Sequence, residues 1–300
     1  MISICIPIYN FDVRPLVNDL TKQIQFIFEY EIEIILIDDA STEEIQQKNN
    51  SLSTLHKYIQ LDKNIGRAKI RNLFLNHTSQ PYLLFLDCDS SIELNQDFIK
   101  NYLNHILNQK PLISYGGRIY PNNPPSKNQT LSWKYGYYIE SKSTKERAIN
   151  PNKSFQTNNF IIHRNLFQTI NFDESIKNYG HEDTIFGIEI NKKQIAIQHL
   201  ENPVLNNHIE DNKQYLLKTE LAVQNLNQLV ISNKIQPEDY KHINLLQFYK
   251  KLNQFKLDGL VYKILQSNEN KLLENFNSES PNLKLFNLYK LLLFIKQKRA

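Results

Sequence analysis

The chain has 300 residues with 41% hydrophobic side chains, enough apolar material for a sizeable interior. Its formal net charge of +4 comes from interspersed acids and bases, and it lacks the concentrated basic face that a nucleic-acid partner requires. Cys5 and Cys88 are its only cysteines, both inside apolar runs, which excludes a disulfide framework and points to a reducing, cytoplasmic setting. The abundance of Ile, Asn and Lys is read as genomic bias and carries no chemistry.

Met1 leads directly into Ile2-Ser3-Ile4-Cys5-Ile6-Pro7, which reads as a strand and lacks the features of a secretory leader. No window reaches the roughly 20 uninterrupted apolar residues of a membrane span. Helical patterns at 16–30, 66–76 and 98–107 alternate with strand patterns at 2–8, 32–37 and 82–86, which predicts βαβ units and a mostly parallel sheet flanked by helices. The continuous apolar runs at 32–37 and 82–86 fit strands covered on both faces.

In such sheets ligands bind outside the carboxyl ends of the strands. Three strands end there in polar residues: Pro7-Ile8-Tyr9-Asn10, Asp38-Asp39-Ala40-Ser41 and Asp87-Cys88-Asp89-Ser90. Residues 111–159, mixed in Gly, Pro and Tyr, read as loops and short strands over that rim. From about residue 212 the apolar period becomes helical. The expected organisation is a domain over 1–215, with a nucleotide-binding half at 1–110 and an acceptor-binding half at 111–215, followed by a helical subdomain at 216–300.

Asp87 and Asp89 place two carboxylates on one tight turn, a donor set suited to Mg²⁺ or Mn²⁺, although Asp in a turn also serves as a cap. Asp39 can accept from a base or ribose, or it can cap the following helix. In Asn64-Ile65-Gly66-Arg67-Ala68-Lys69-Ile70-Arg71 a glycine turn enters a basic helix, where backbone N–H groups with Arg67 and Arg71 suit a phosphate; a solvated basic face is the alternative. Glu182 and Asp183 open a helix after Gly180, where the dipole keeps carboxylates ionised.

Taken in order, SICIPIYN, IILIDDAS, NIGRAKIRN, LLFLDCDS and YGHEDTIFG resemble the family 2 glycosyltransferases of GT-A fold over about 1–230. The resemblance implies transfer of a sugar from a nucleotide diphosphate, a UDP-sugar first among donors, to an acceptor hydroxyl with inversion. The acceptor class is a glycan or lipid-linked saccharide, as in polysaccharide biosynthesis, and the sugar a hexosyl or N-acetylhexosaminyl group. Pro7, Tyr9 and Asp39 would line base and ribose. Asp89, with Asp87 behind it, would hold the metal, Asp183 would be the base, and Glu182 an acceptor contact or a support for the base. His208, or instead Asn206, stands where relatives carry a metal-ligating His. Asn158 or Asn159 would face the donor sugar. These roles require Asp39, Asp89 and Asp183 to gather at one cleft.

Two further features keep two readings each. Trp133, Tyr135, Tyr137 and Tyr138 offer faces for stacking on sugars or for packing. The basic, apolar segment 283–295 can pack on the core or lie on the inner face of an anionic membrane, where lipid-linked acceptors reside. An inactive relative that binds nucleotide sugar without transferring it is the competing function. A different nucleotide enzyme, such as a nucleotidyltransferase or an NAD-dependent dehydrogenase, is disfavoured, since neither the G-x-G-x-x-G turn nor the P-loop is present.

Overall fold

The computed structural model describes residues 1–123 and 125–299. In chain order the elements are β1 (Ile2–Ile8), α1 (Arg14–Ile24), β2 (Ile32–Asp38), α2 (Glu43–Asn50), β3 (Lys57–Gln60), α3 (Arg67–Leu73), β4 (Tyr82–Leu86), β5 (Ser90–Ser91) and α4 (Phe98–Gln109). Next come β6 (Ile113–Tyr115), β7 (Arg118–Ile119), α5 (Thr130–Tyr135), α6 (Thr144–Ile149), β8 (Asn159–His163), α7 (Arg164–Thr169) and α8 (Glu182–Lys192). Last are β9 (Gln198–His199), β10 (Val204–Asn206), α9 (Asn212–Ile231), α10 (Asn244–Gln254), α11 (Asp258–Ser267), α12 (Glu269–Phe276) and α13 (Leu283–Arg299).

The chain forms two compact units, one of 1–120, 141–177 and 189–208, the other of 121–140, 178–188 and 209–300. This departs from the boundary at 215, because two internal segments fold with the C-terminal helices.

The first unit holds a seven-stranded sheet of order β3-β2-β1-β4-β8-β6-β9 and a three-stranded sheet β5-β10-β7. Strands β3, β2, β1 and β4 are mutually parallel, and β8 runs antiparallel between β4 and β6. β1 and β4 are buried almost along their whole length, which is why their sequences read as unbroken apolar runs. One face is covered by α1 and α4, which contribute Leu16, Val17, Leu20, Phe98, Tyr102 and Ile106 to the core. Register pairs Ile8 of β1 with Asp38 of β2, and the Asp39 N–H donates to the Ile8 carbonyl at 2.8 Å, so the two polar ends are adjacent.

The segment 111–159 carries more helix than its composition suggests, including α5, α6 and a π-helical turn at Gly136–Glu140. Trp133 is nearly buried, stacked on Tyr137 at 5.2 Å, with its indole N–H donated to the Pro121 carbonyl at 2.8 Å. Packing, not sugar stacking, accounts for that indole.

The second unit is helical, with its own core of Leu131, Leu216, Leu272, Phe276, Phe286 and Tyr289 among others. The membrane reading of the C-terminal helix is corrected here: α13 buries Phe286, Tyr289, Leu291, Leu292, Phe294 and Ile295, so its apolar stripe is already covered by its own unit. No helix among the described residues is long and apolar enough to cross a membrane.

Candidate active site

At the carboxyl ends of β1 and β2 the chain leaves the sheet through strained turns. Asn10 and Ala40 have φ of 50° and 59°, a left-handed conformation rare for residues with a Cβ. Reciprocal bonds hold them: the Asn10 N–H donates to Ser41 Oγ and the Thr42 N–H to Asn10 Oδ1, each at 2.8 Å.

The paired aspartates of β2 divide their work. Asp38, fully buried, accepts from the Ser41 N–H at 2.7 Å and the Tyr58 hydroxyl at 3.0 Å, so it builds the turn. Asp39 reaches across to the glycine turn, where its two oxygens accept from the Ile65 N–H at 2.7 Å and the Gly66 N–H at 3.1 Å. The anion on those amides is therefore the protein's own carboxylate, which takes the place expected for a phosphate. Burial lifts Asp39 above its ordinary acidity range despite these two donors. Gly66 has φ of +86° with open space where a Cβ would stand, so conformation alone asks for glycine there.

Of the cations beginning α3, Arg67 is exposed and Arg71 is 3% exposed. Arg71 points inward, donating to Asp87 Oδ1 at 2.8 Å and to the Arg67 carbonyl at 3.2 Å, and it lies over the Phe172 ring. It positions a carboxylate, which is a different task from the phosphate contact read in the sequence. Asp87 is further fixed by its N–H, donated to the Asn158 carbonyl at 3.1 Å.

Asp89 is raised above its ordinary value first by burial and then by the charge of Asp87, while Arg118 and Arg67 pull it down. Arg118, at the start of β7, stacks over Tyr120 at 5.2 Å and was not singled out in the sequence. Between the acids, burial and both negative neighbours push the Cys88 thiol up to about 12, so it stays neutral. Asn158 is 3% exposed, and its Oδ1 accepts from the Tyr115 hydroxyl at 3.3 Å while its Nδ2 has no partner. Asn159, fully buried, is consumed internally, donating to the Gly117 and Asn202 carbonyls and accepting from the Tyr102 hydroxyl.

Tyr9 is 55% exposed at the rim and Pro7 is half-buried on β1. His208 is exposed with its ring edge-on to Phe11 at 5.3 Å. Among the described residues no three His, Cys, Asp or Glu side chains are gathered to hold an ion unaided, so His208 completes no ready-made set with Asp87 and Asp89. Two crowded carboxylates of which one resists ionisation are nonetheless a hard-oxygen pair that a divalent cation would relieve.

Glu182 and Asp183 belong to the second unit. They follow Gly180 and His181, both at positive φ (91° and 71°), and open α8. This turn is fastened to α9: Asn225 Nδ2 donates to the Gly180 carbonyl at 2.6 Å, and a Cβ on Gly180 would stand 3.0 Å from that of Ala222. Asp183 Oδ1 accepts from the Thr184 N–H at 2.6 Å. Glu182 is 7% exposed.

Residues 3–170 match the family model described as glycosyl transferase family 2. The chain belongs to that family. An uncharacterized glycosyltransferase of Haemophilus influenzae is 30% identical over 122 residues, an alignment covering 39% of this chain and 46% of the relative, so under half of that protein's length is matched. Among solved structures, Staphylococcus aureus TarS residues 1–349 superpose with a TM-score of 0.52 at 18% identity, covering 99% of this chain and 91% of that one. The mannosyltransferase PcManGT from Pyrobaculum calidifontis, solved with GDP-Man and Mn²⁺, gives 0.58 at 14% identity, covering 99% and 85%. Glucosyl-3-phosphoglycerate synthase from Mycobacterium tuberculosis gives 0.51 at 13%, covering 77% and 79%. These likenesses establish the GT-A fold of this family 2 chain.

Proposed function

We propose that this family 2 chain is an inverting glycosyltransferase that moves a sugar from a nucleoside diphosphate, with a UDP-sugar as first choice, to an acceptor hydroxyl. The observation that supports the reading is the rim of the first unit outside the carboxyl ends of β1, β2 and β4, where Asp39 clamps the turn before Arg67, Arg71 holds Asp87, and Arg67 and Asp87 act on Asp89. PcManGT, with GDP-Man and Mn²⁺, and a TarS structure with UDP-GlcNAc are neighbours in fold and support a nucleotide-sugar donor.

Pro7 and Tyr9 line the base, while Asp39 holds the glycine turn and offers its remaining acceptor capacity to the ribose. Asp89 and Asp87, with His208 as a further candidate ligand, would hold Mn²⁺ or Mg²⁺, and Arg71 keeps Asp87 in place. When bound, the metal neutralises charge building on the departing diphosphate. Asp183 takes the proton of the acceptor hydroxyl as its oxygen forms the bond to the anomeric carbon, and the electron pair of the breaking bond leaves with the diphosphate. Direct attack of this kind inverts the anomeric centre. The N-terminal position of Asp183 on α8 favours its ionised form.

The test is a thermal-shift screen of nucleoside diphosphates with and without Mn²⁺, followed by donor turnover. UDP should stabilise the chain only with metal, and Asp89→Asn should abolish that shift. Asp183→Asn should keep the shift and lose turnover by roughly 10²–10⁴-fold. An equal response to every nucleotide, or none, refutes the reading. Metal-dependent binding without turnover over a broad donor and acceptor panel would instead mark an inactive binder.

A further inference from the structure

The second unit carries a half-open cleft of about 1000 Å³ that is lined by its own residues. This is at the upper end of the roughly 300–1,000 Å³ typical of ligand sites. His181 and Thr184, which bracket Glu182 and Asp183 in the chain, are part of its lining. One wall is aromatic: Tyr215 stacks on Phe286 at 5.7 Å and 28°, and Tyr135 meets Phe286 edge-on at 5.7 Å. These rings are packed against one another, with Phe286 1% exposed, and form a rigid apolar floor under the lysines.

The charge of the lining is one-sided. It includes Lys218, Lys251, Lys284 and Lys290, against the single acid Glu140. Lys218 is already committed, ion-paired with Glu210 and set over the Tyr179 ring. Lys290 is the unusual member. Its Nζ sits 4.5 Å and 4.9 Å above the Tyr135 and Phe286 rings and donates to the Tyr135 hydroxyl at 3.3 Å. Burial lowers this ammonium to about 8, opposed by the charge of Glu140 in the same lining. Taking an ammonium partly out of water costs solvation that a Leu or Met would not, and four lysines against one acid leave cationic charge in the lining for an outside anion to meet.

Resting on the proposed function above, we infer that this cleft receives the acceptor and that the acceptor is a saccharide bearing negative charge, as phosphate or carboxylate. Lys290 would meet the charge inside, with Lys251 and Lys284 at the exposed edge.

The experiment is calorimetric titration of the whole protein at low salt, without nucleotide or metal. The probes are tetragalacturonate, its methyl ester, and a four-unit glycerol phosphate oligomer. At least one charged oligomer should bind with Kd below about 1 mM and the ester roughly tenfold more weakly. Binding of only the galacturonate assigns carboxylate, and binding of only the phosphate oligomer assigns phosphate. Lys290→Met should weaken the charged probe roughly tenfold while the metal-dependent UDP shift stays unchanged. The exposed pair Lys251→Gln/Lys284→Gln should do the same, and it keeps the inference testable if Lys290→Met folds poorly. Equal affinity for ester and acid, indifference to these substitutions, or no binding of any charged probe overturns the inference. Loss of the UDP response with charged-oligomer binding intact would overturn the nucleotide reading alone.

Discussion

Replacing Asp39 by Asn changes one oxygen into an NH₂ group at nearly constant volume, at a site where both oxygens are in use. One of them accepts from the Ile65 N–H at 2.7 Å and the other from the Gly66 N–H at 3.1 Å, beneath a surface that leaves the residue 4% exposed. After substitution one N–H faces a donor, and a buried donor left unpaired costs about 1–3 kcal/mol. The surviving bond loses its charge assistance, roughly a further 1 kcal/mol. Working the other way, burial disfavours the carboxylate and outweighs its two donors, so a neutral amide regains part of that penalty. The net expectation is a loss of about 2 kcal/mol, or roughly 4 °C in Tm for a chain of this size. Amide hydrogen exchange supplies the local readout, since Ile65 and Gly66 should lose protection while β1 amides do not. UDP binding should fall in parallel, because the turn before α3 loses its anchor. Unchanged Tm together with unchanged protection at Ile65 and Gly66 would refute the assignment of Asp39 as the clamp of this turn.

Arg71→Met leaves Asp87 without its cation; with Asp87 29% exposed, the cost should be about 2 kcal/mol in chemical denaturation, with weaker Mn²⁺ dependence of the UDP shift. Gly116→Ala would set a Cβ 2.5 Å from both the Tyr102 hydroxyl and Asn159 Nδ2 and 2.7 Å from the Asn202 carbonyl, so soluble yield or Tm should drop sharply, measured by expression and calorimetry. His181 is held down to about 4 chiefly by burial, opposed by Glu182 and the Ala222 carbonyl and aided by Lys290. The unfolded chain therefore takes up a proton near pH 6.5 while the folded chain does not; stability is full above that pH and falls by about 3 kcal/mol as pH drops towards 4. Tm measured from pH 7 to 4.5 should fall less in His181→Asn, a residue that also tolerates the positive φ.

Much of the sheet was legible because continuous apolar runs such as Ile32–Asp38 and Tyr82–Leu86 are what doubly covered strands require. The antiparallel insertion of β8 beside β4 was not, since strand pairing is decided by partners far along the chain. Helices α5 and α6 span six residues each, too few to display a period, so their segment read as loop. The acids at the strand ends were visible as residue types, but their division of labour was not. Asp38 and Asp39 look equivalent in sequence, and only the fold sends one into its own turn and the other across to Gly66. Likewise Arg67 and Arg71 lie one helical turn apart, and packing against Phe172 decides which of them turns inward. Arg118 gave no signal, being a lone cation after two glycines, yet its charge acts on Asp89. For α13, an apolar stripe with basic neighbours is the same pattern whether it meets lipid or protein, and only the partner helices decide.

The polypeptide passes between its two units at 120, 140, 177, 188 and 208, so neither unit is a contiguous piece of gene. Cutting after 215 would strip α5 of the Leu216, Phe276 and Phe286 side chains it shares a core with, and would remove Ala222 and Asn225 from beneath the turn that carries Asp183. The C-terminal helices therefore cannot be traded between relatives as a cassette. Any viable chimera has to inherit residues 121–140, 178–188 and 209–300 from a single parent, and recombination libraries built on that rule should be enriched in soluble proteins over those crossed at one point.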